Sequence, residues 1–360
     1  MSAGMEAPAL SERPRTPSSE PPQVPSSERP RALFAMTAGN VPLVFPPEVL
    51  ARLRESVDID PGLVAEDLTD PALAEVLSRT EILVTGWGCP RLDASVLDAA
   101  PKLRAVLHAA GSVKGFATPE LWRRGIAVSS AAEANALPVA EYTLAMILLA
   151  GKEVLVRREQ LRAGRPSSGW GIVPGIGNHG RRVGLIGASR IGRKVIELLR
   201  PFDLRPALYD PYVDSAGAAA LGVPLLPLDE LLRDSEIVSV HAPETPETRH
   251  LLGRRELALM PDGAVLLNTA RGSLVDHDAL LAELRTGRLS AILDVTDPEP
   301  LPADSPLLSL PNVFVTPHLA GSQGNELARL GEAVVDEARR MVAGEPVAHP
   351  VTEAELGRSA

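Results

Sequence analysis

One ten-residue stretch constrains this chain more than any other: Val183-Gly-Leu-Ile-Gly-Ala-Ser-Arg-Ile-Gly192. Strand-forming apolar residues run into a glycine turn and then into a helical pattern, Ile191–Arg200. In a dinucleotide-binding turn G-x-G-x-x-G, the first glycine makes the tight turn and the second lets the backbone approach a pyrophosphate. The third lets the helix pack on the strand. Gly187 and Gly192 hold the first and third places, and Ser189 stands in the second. The helix beyond offers free N–H groups and a positive dipole end to phosphate. Ser189 either pushes the pyrophosphate outward with its Cβ or bonds a phosphate oxygen with its hydroxyl. An ordinary strand-to-helix turn would show the same glycines. Asp210 adds a second signal. It ends the next strand, in Leu208-Tyr-Asp-Pro-Tyr212, 18 residues after Gly192. A carboxylate there can accept hydrogen bonds from the adenosine ribose hydroxyls. It would repel a 2′-phosphate, and no Arg follows it directly, so the expected cofactor is NAD rather than NADP. The plainer alternative is that Asp210 starts a turn before Pro211.

The turn sits inside a long alternation of apolar strands and helices. From Arg182 onward the candidate strands are Val183–Ile186, Ala207–Tyr209, Ile237–His241, Ala264–Asn268, Ala291–Val295 and Val313–Thr316, with helices such as Ala279–Thr286 between them. That pattern predicts a doubly wound parallel sheet. An earlier block carries strands Ala32–Met36, Ile82–Thr85, Arg104–His108 and Ile126–Ser129 with helices such as Pro47–Ser56 and Ala94–Ala99. A helical stretch from about Leu137 to Arg162 and a Gly- and Pro-rich linker, Gly164–Gly180, join the two blocks. Asn325–Ala343 is the last long helix. Residues 1–30 are rich in Pro, Ser and Glu and are expected to be a disordered tail.

A chain of 360 residues with 45% hydrophobic residues can bury two cores. Its net charge of −10 argues against nucleic acid or an anionic membrane as a partner. Cys89 is the only cysteine, which fits a reducing compartment. No apolar run is expected to reach the roughly 18 residues of a membrane span. No secretory signal is visible at the N-terminus, so a cytoplasmic location is the default expectation. No metal-ligand spacing is recognised.

Three polar residues follow late strands, where open α/β sheets bind ligands. They are Arg271 in Asn268-Thr-Ala-Arg-Gly272, Glu299 in Leu293-Asp-Val-Thr-Asp-Pro-Glu-Pro300, and His318 in Thr316-Pro-His-Leu-Ala-Gly321. Reduction of a 2-keto acid puts hydride on C2 and a proton on its oxygen. A histidine, with an unperturbed pKa of about 6.5, can give that proton near neutral pH. A neighbouring carboxylate favours an imidazolium and fixes its ring. An arginine can hold a substrate carboxylate through two parallel hydrogen bonds. Asp294 could hold a nicotinamide amide. Each residue taken alone has an ordinary explanation: a surface ion pair for Arg271, an exposed charge for Glu299, a loop or capping residue for His318. Their joint occurrence after a dinucleotide-type turn favours the chemical reading.

These motifs, with Val240-His-Ala-Pro243 and Thr245-Pro-Glu-Thr248, occur in the order and spacing of the D-isomer-specific 2-hydroxyacid dehydrogenases, which the chain resembles over roughly residues 32–345. The resemblance implies an α/β fold of two doubly wound domains. A Rossmann NAD-binding domain, 151–317, is inserted into a flavodoxin-like substrate domain made of 31–150 and 318–350. It implies that Arg271 binds substrate, Glu299 orients the histidine, and His318 donates or accepts the proton. It places Ser189, Arg190, Ile191 and Asp210 on the adenosine and pyrophosphate of NAD. It places Ala242, Pro243, Thr269, Ala270, Arg271, Asp294, His318 and Gly321 near the ribose and nicotinamide. It implies a homodimer held through the nucleotide domain, and a small 2-keto or 2-hydroxy acid as the other partner.

The chain departs from the family at several places. Thr296 stands where a bulky residue is usual. The substrate loop, usually Gly-x-Gly-Val-Asp, reads His108-Ala-Ala-Gly-Ser-Val-Lys114, with Lys114 near the expected Asp. Ala110, Gly111 and Ser112 are candidate backbone donors to the substrate carboxylate. In Ser130-Ala-Ala-Glu-Ala-Asn135 only Asn135 matches the family stretch. Trp87 either walls the pocket or serves the core or surface. Two rival functions stay open at this point: an NAD(H)-sensing, corepressor-like binding protein, and formate or phosphite oxidation on the same scaffold. Glu299 and His318-Leu-Ala-Gly321 disfavour formate. The roughly 17 residues after Ala343 leave no room for a further regulatory domain, so feedback control by an amino acid is not expected.

Overall fold

The computed structural model describes residues 29–164 and 172–356. All but Arg29 and Pro30 of the tail expected to be disordered lie outside the described residues, as do residues 165–171 of the expected linker.

The chain builds two parallel sheets. The first contains β1 (Arg31–Ala35), β2 (Asp58–Val64), β3 (Ile82–Thr85), β4 (Ala105–His108) and β5 (Ala127–Ser130), in the order β2-β1-β3-β4-β5. This is the flavodoxin-like order. Every residue of β3 and β4 is buried. Helices cover both faces of such a sheet, so its central strands read as unbroken apolar runs. β2 was not expected, because Pro61 and Gly62 interrupt it. Its position explains the tolerance: it is an edge strand whose register against β1 shifts between Ala32 and Phe34.

The second sheet contains β6 (Arg181–Ile186), β7 (Leu204–Tyr209), β8 (Ile237–Val240), β9 (Val265–Asn268), β10 (Ser290–Leu293) and β11 (Val313–Val315), in the order β11-β10-β9-β8-β6-β7. Leu225 adds one parallel bridge to Leu208 on β7. That bridge is all that forms of a third strand in the first mononucleotide half. The strand order reverses between β6 and β8, so the crevice above β6 is the topological switch point.

The helix Leu327–Val342 returns to the first sheet. Leu330, Val334 and Val335 pack there with Phe34, Leu53 and Leu107. The stretch expected as one helix over Leu137–Arg162 is two, Ala132–Gly151 and Val154–Arg162, broken where Glu153 takes a left-handed φ of 51°. The first begins five residues earlier than expected and is 20 residues long, apolar enough by length and composition to cross a membrane. This corrects the expectation that no apolar stretch reaches that length. Its apolar side is used within the protein: Ala140, Ile147 and Ala150 join the core formed by Val183, Leu185 and Val195 of the second sheet's layer.

Candidate active site

A cleft of about 1260 Å³ opens between the two sheets at the carboxyl ends of their strands. Gly187 and Gly192 shape its dinucleotide side. Gly187 has a φ of +101°, and a Cβ on it would fall 2.7 Å from the Ala242 backbone nitrogen. A Cβ on Gly192 would meet the Gly187 carbonyl oxygen at 2.2 Å. The loop after β6 is therefore pressed against the loop after β8, and only glycine fits at either place. Ser189 caps the helix Arg190–Leu199, its Oγ accepting from Gly192 N at 3.2 Å. The hydroxyl thus already satisfies one orphan helix donor. The N–H groups of Arg190 and Ile191, which have no intrahelical acceptor, stand at the cleft.

Asp210 lies across this loop. Its Oδ2 accepts from Ala188 N at 2.7 Å and its Oδ1 from Tyr212 N at 2.8 Å. The carboxylate starts the turn at Pro211 and also lines the cleft beside the glycine loop. Beneath the loop, His241 is 3% exposed; its Nε2 pairs with Ser239 Oγ at 2.9 Å and its Nδ1 has no partner. Burial pushes its pKa down to about 3, so the ring is neutral. A tight glycine turn, an open helix N-terminus and a carboxylate at the end of the next strand fit an NAD molecule.

The polar end of the cleft holds His318. Its Nδ1 lies 2.5 Å from Glu299 Oε1. The backbone at His318 is left-handed, with φ 52°, and is held there by hydrogen bonds from His318 N to the carbonyls of Asp294, at 2.9 Å, and Thr316, at 3.0 Å. Asp294, 2% exposed, organises the rest of this loop. Its Oδ1 accepts from Thr316 Oγ1 at 2.6 Å and Leu319 N at 2.9 Å, and its Oδ2 from Ala320 N at 3.0 Å. The sequence reading put this carboxylate on the nicotinamide. In the structure three of its acceptor sites serve the histidine loop, although it also borders the cleft.

Arg271 follows β9 and faces the same space. Its Nη1 donates to the Ala270 carbonyl at 2.6 Å, and no described carboxylate lies within ion-pair distance of it. Asn268 shapes its loop, accepting from Ala270 N at 3.0 Å and donating to the Arg271 carbonyl at 2.8 Å. Gly272 permits the close approach of this loop to the Thr296 backbone, where a Cβ would fall 2.0 Å from the carbonyl.

Of the other residues singled out, Gly111, Ser112, Ala242, Pro243, Thr269, Gly321, Asn135 and Trp87 border the cleft. Ala110 and Ala270 do not border it and are buried beneath. Glu299 reaches the site only through His318. Among the described residues no partner accepts from the N–H groups of Ala110, Gly111 or Ser112. His108 lies under that loop, with Nδ1 2.9 Å from Thr85 Oγ1 and its ring 4.8 Å from that of Phe116. Burial pushes its pKa down to about 3 against a hydrogen bond to the Ser112 backbone. Lys114 points to the opposite lobe, its Nζ donating to the Glu244 carbonyl at 3.2 Å. Partial burial holds its pKa below the ordinary lysine value; Glu244 opposes that shift and Arg271 adds to it.

Sequence reasoning missed the ties made by the helix Ala132–Gly151. Tyr142 OH meets Thr316 Oγ1 at 2.7 Å, Thr143 Oγ1 meets Thr269 Oγ1 at 3.1 Å, and Asn135 Oδ1 accepts from Ser322 N at 2.9 Å. One helix thus connects the first sheet to two loops of the cleft. Asn135 stands out by its match to the family stretch, while no amphipathic or motif signal marks Tyr142 or Thr143. Among the described residues no group of three or more His, Cys, Asp or Glu side chains could hold a metal ion.

A family model for the NAD binding domain of D-isomer specific 2-hydroxyacid dehydrogenases matches residues 144–320. The D-3-phosphoglycerate dehydrogenase of Methanocaldococcus jannaschii is 33% identical over 286 residues, 78% of this chain and 53% of that protein. The chain spans about half the length of the curated D-3-phosphoglycerate dehydrogenases it matches. A glyoxylate reductase of Korarchaeum cryptofilum is 32% identical over 306 residues, 83% of this chain and 91% of that protein. Among solved structures, a phosphoglycerate oxidoreductase from Rhizobium etli superposes with a TM-score of 0.76 at 26% identity, over 90% of this chain and 99% of that one.

Proposed function

The chain belongs to the D-isomer specific 2-hydroxyacid dehydrogenase family, and we propose that it interconverts a small 2-keto acid and the matching 2-hydroxy acid, with NAD as its cofactor. The observation that carries this reading is the His318–Glu299 pair at 2.5 Å, in a cleft that also holds Arg271, which pairs with no described carboxylate. Bound NAD supplies or accepts the hydride at C2. His318 gives the proton to the substrate oxygen in reduction and takes it back in oxidation. Glu299 accepts from Nδ1–H, which fixes the tautomer and leaves Nε2 for the substrate. Arg271 holds the substrate carboxylate through two N–H groups, and the free N–H groups of Gly111 and Ser112 complete that anion site. Asp210 takes the adenosine ribose hydroxyls on its remaining lone pairs. The glycine loop with Ser189, Arg190 and Ile191 takes the pyrophosphate. Ala242, Pro243, Thr269, Asp294 and Gly321, which border the cleft, surround the ribose and nicotinamide.

In this reading residues 151–317 form the NAD-binding domain, while 31–150 and 318–350 form the substrate domain. The two close on each other to exclude water. We place a second copy of the chain against the helix Val154–Arg162. That helix has no fully buried residue, exposes Val154 and Leu161, and borders a cavity of about 1000 Å³ that is edged by β11 and lined by both apolar and charged side chains. Unpartnered apolar surface of this kind marks an interface.

The relatives named glyoxylate reductase and D-3-phosphoglycerate dehydrogenase set the substrates to try. Oxidation of NADH, and separately NADPH, is followed with glyoxylate, pyruvate, hydroxypyruvate and phosphohydroxypyruvate. Turnover of at least one with NADH is expected. Tight NADH binding without turnover of any keto acid would contradict the proposal and favour a nucleotide-sensing role.

A further inference from the structure

After the helix Leu327–Val342 the chain runs back along the first sheet. Glu337, 3% exposed, accepts from Ala348 N and His349 N at 2.8 Å each. Its buried charge is thereby satisfied by backbone donors, and the segment is clamped at its base. Pro350 then bridges antiparallel to Ser129, and Val351 N donates to the Val128 carbonyl at 2.7 Å. Trp122 Nε1 donates to the Val351 carbonyl at 2.9 Å. The segment therefore covers the open edge of β5 in an otherwise parallel sheet. A short helix, Glu353–Leu356, follows, with Glu355 accepting from Thr352 N at 3.0 Å.

This route brings Val351 and Glu355 to the wall of the same cleft as Arg271 and His318. Their side of the cleft is fixed by hydrogen bonds. Ser130 N donates to the His349 carbonyl at 3.4 Å, and the next residue, Ala131, donates its N–H to the carbonyls of His108 and Ala110. The segment is thus one strand end away from the Ala110–Ser112 loop and lies on the first sheet, across from the glycine loop. Trp87, half-exposed, borders the same space.

We propose that the segment Pro350–Glu355 is a specificity-determining wall for the substituent on the keto carbon. Val351, facing a cleft that Trp87 also borders, limits its size, and the Glu355 carboxylate disfavours a second anionic group on it. The favoured substrate class is a monoanionic 2-keto acid with a short, uncharged substituent. This rests on the reading of the cleft as a keto-acid site.

The test compares kcat/KM for pyruvate, phenylpyruvate and 2-oxoglutarate, with NADH, in the wild-type chain, Val351→Trp and Glu355→Gln. Val351→Trp lowers the phenylpyruvate-to-pyruvate ratio about tenfold, the scale on which a few atoms are discriminated in an apolar pocket. Glu355→Gln, an exposed change that leaves the fold intact, raises the 2-oxoglutarate-to-pyruvate ratio about threefold, as removal of one partly screened charge does. The NADH Kd stays within about twofold in both. An active wild-type chain whose ratios are unmoved in both variants overturns this inference alone. A wild-type chain that reduces none of the three, nor any other keto acid, overturns the reading of the site and this inference with it.

Discussion

Gly272 sits so close to Thr296 that a Cβ on it would fall 2.0 Å from the Thr296 carbonyl. That contact locks the loop carrying Arg271 onto the loop that leads to Glu299. The cation for the substrate and the partner of His318 are therefore set in register by backbone packing. A Gly272→Ala chain must push the two loops apart, at a cost of about 1–3 kcal/mol. Its kcat/KM for the best keto acid is expected to fall at least about tenfold, since misplacing a catalytic group by about 1 Å can cost 10²-fold. NADH affinity should change far less, and fluorescence titration beside steady-state kinetics checks both.

Asp294 gives a second prediction. Its carboxylate takes three donors from the loop Thr316–Ala320 while nearly fully buried. Asp294→Asn replaces one acceptor oxygen by an NH2 group and leaves at least one buried donor without a partner, which costs about 1–3 kcal/mol. The His318 loop should loosen, so both kcat and the thermal midpoint fall. A variant with unchanged midpoint and unchanged kcat would remove Asp294 from the account.

The buried histidines set a pH dependence of stability. Both His108 and His241 are held neutral by burial, with pKa values of about 3 in the folded chain. In the unfolded chain they titrate near the ordinary value of about 6.5. Their neutral burial is therefore without penalty above about pH 6.5. Below it the unfolded state binds protons first, so stability is lost as pH falls toward the folded value, by about 1.4 kcal/mol per pH unit for each ring. Urea melts from pH 7 to about 4 are expected to show a shallower loss for His241→Gln than for the wild-type chain.

Leu161 is 64% exposed on the helix Val154–Arg162, whose Leu155 alone packs against the second sheet's core. Leu161→Glu is expected to shift the particle from dimer to monomer in light scattering, with the far-ultraviolet spectrum unchanged. A wild-type chain that is already monomeric at micromolar concentration would contradict the proposed second copy.

Much of the fold was legible because its central strands are continuous apolar runs. Ile82–Thr85 and the helices Pro47–Ser56 and Ala94–Ala99 fall where the pattern put them. β2 escaped because an edge strand tolerates a Pro-Gly pair that would end a central one. The break at Glu153 escaped because the apolar spacing resumes at Leu155 beyond Gly151, and the turn between the two helices depends on a single left-handed residue. The site divides in the same way. Arg271, Glu299 and His318 could be picked out because each follows a strand of a block already marked by Gly187 and Asp210. The ties of Asp294 to the histidine loop, of Tyr142 to Thr316 and of Val351 to β5 join residues far apart in the chain, and no spacing announces them.

The central claim is that His318, held by Glu299, moves the proton while Arg271 holds the acid. It is tested most directly by measuring kcat and NADH Kd for His318→Ala and Arg271→Ala on the best keto acid. The account predicts a loss of about 10²–10⁴-fold in kcat for His318→Ala, the usual worth of a positioned acid–base group. It predicts a comparable loss in kcat/KM for Arg271→Ala, with NADH binding nearly unchanged in both. Full activity in either variant would contradict it.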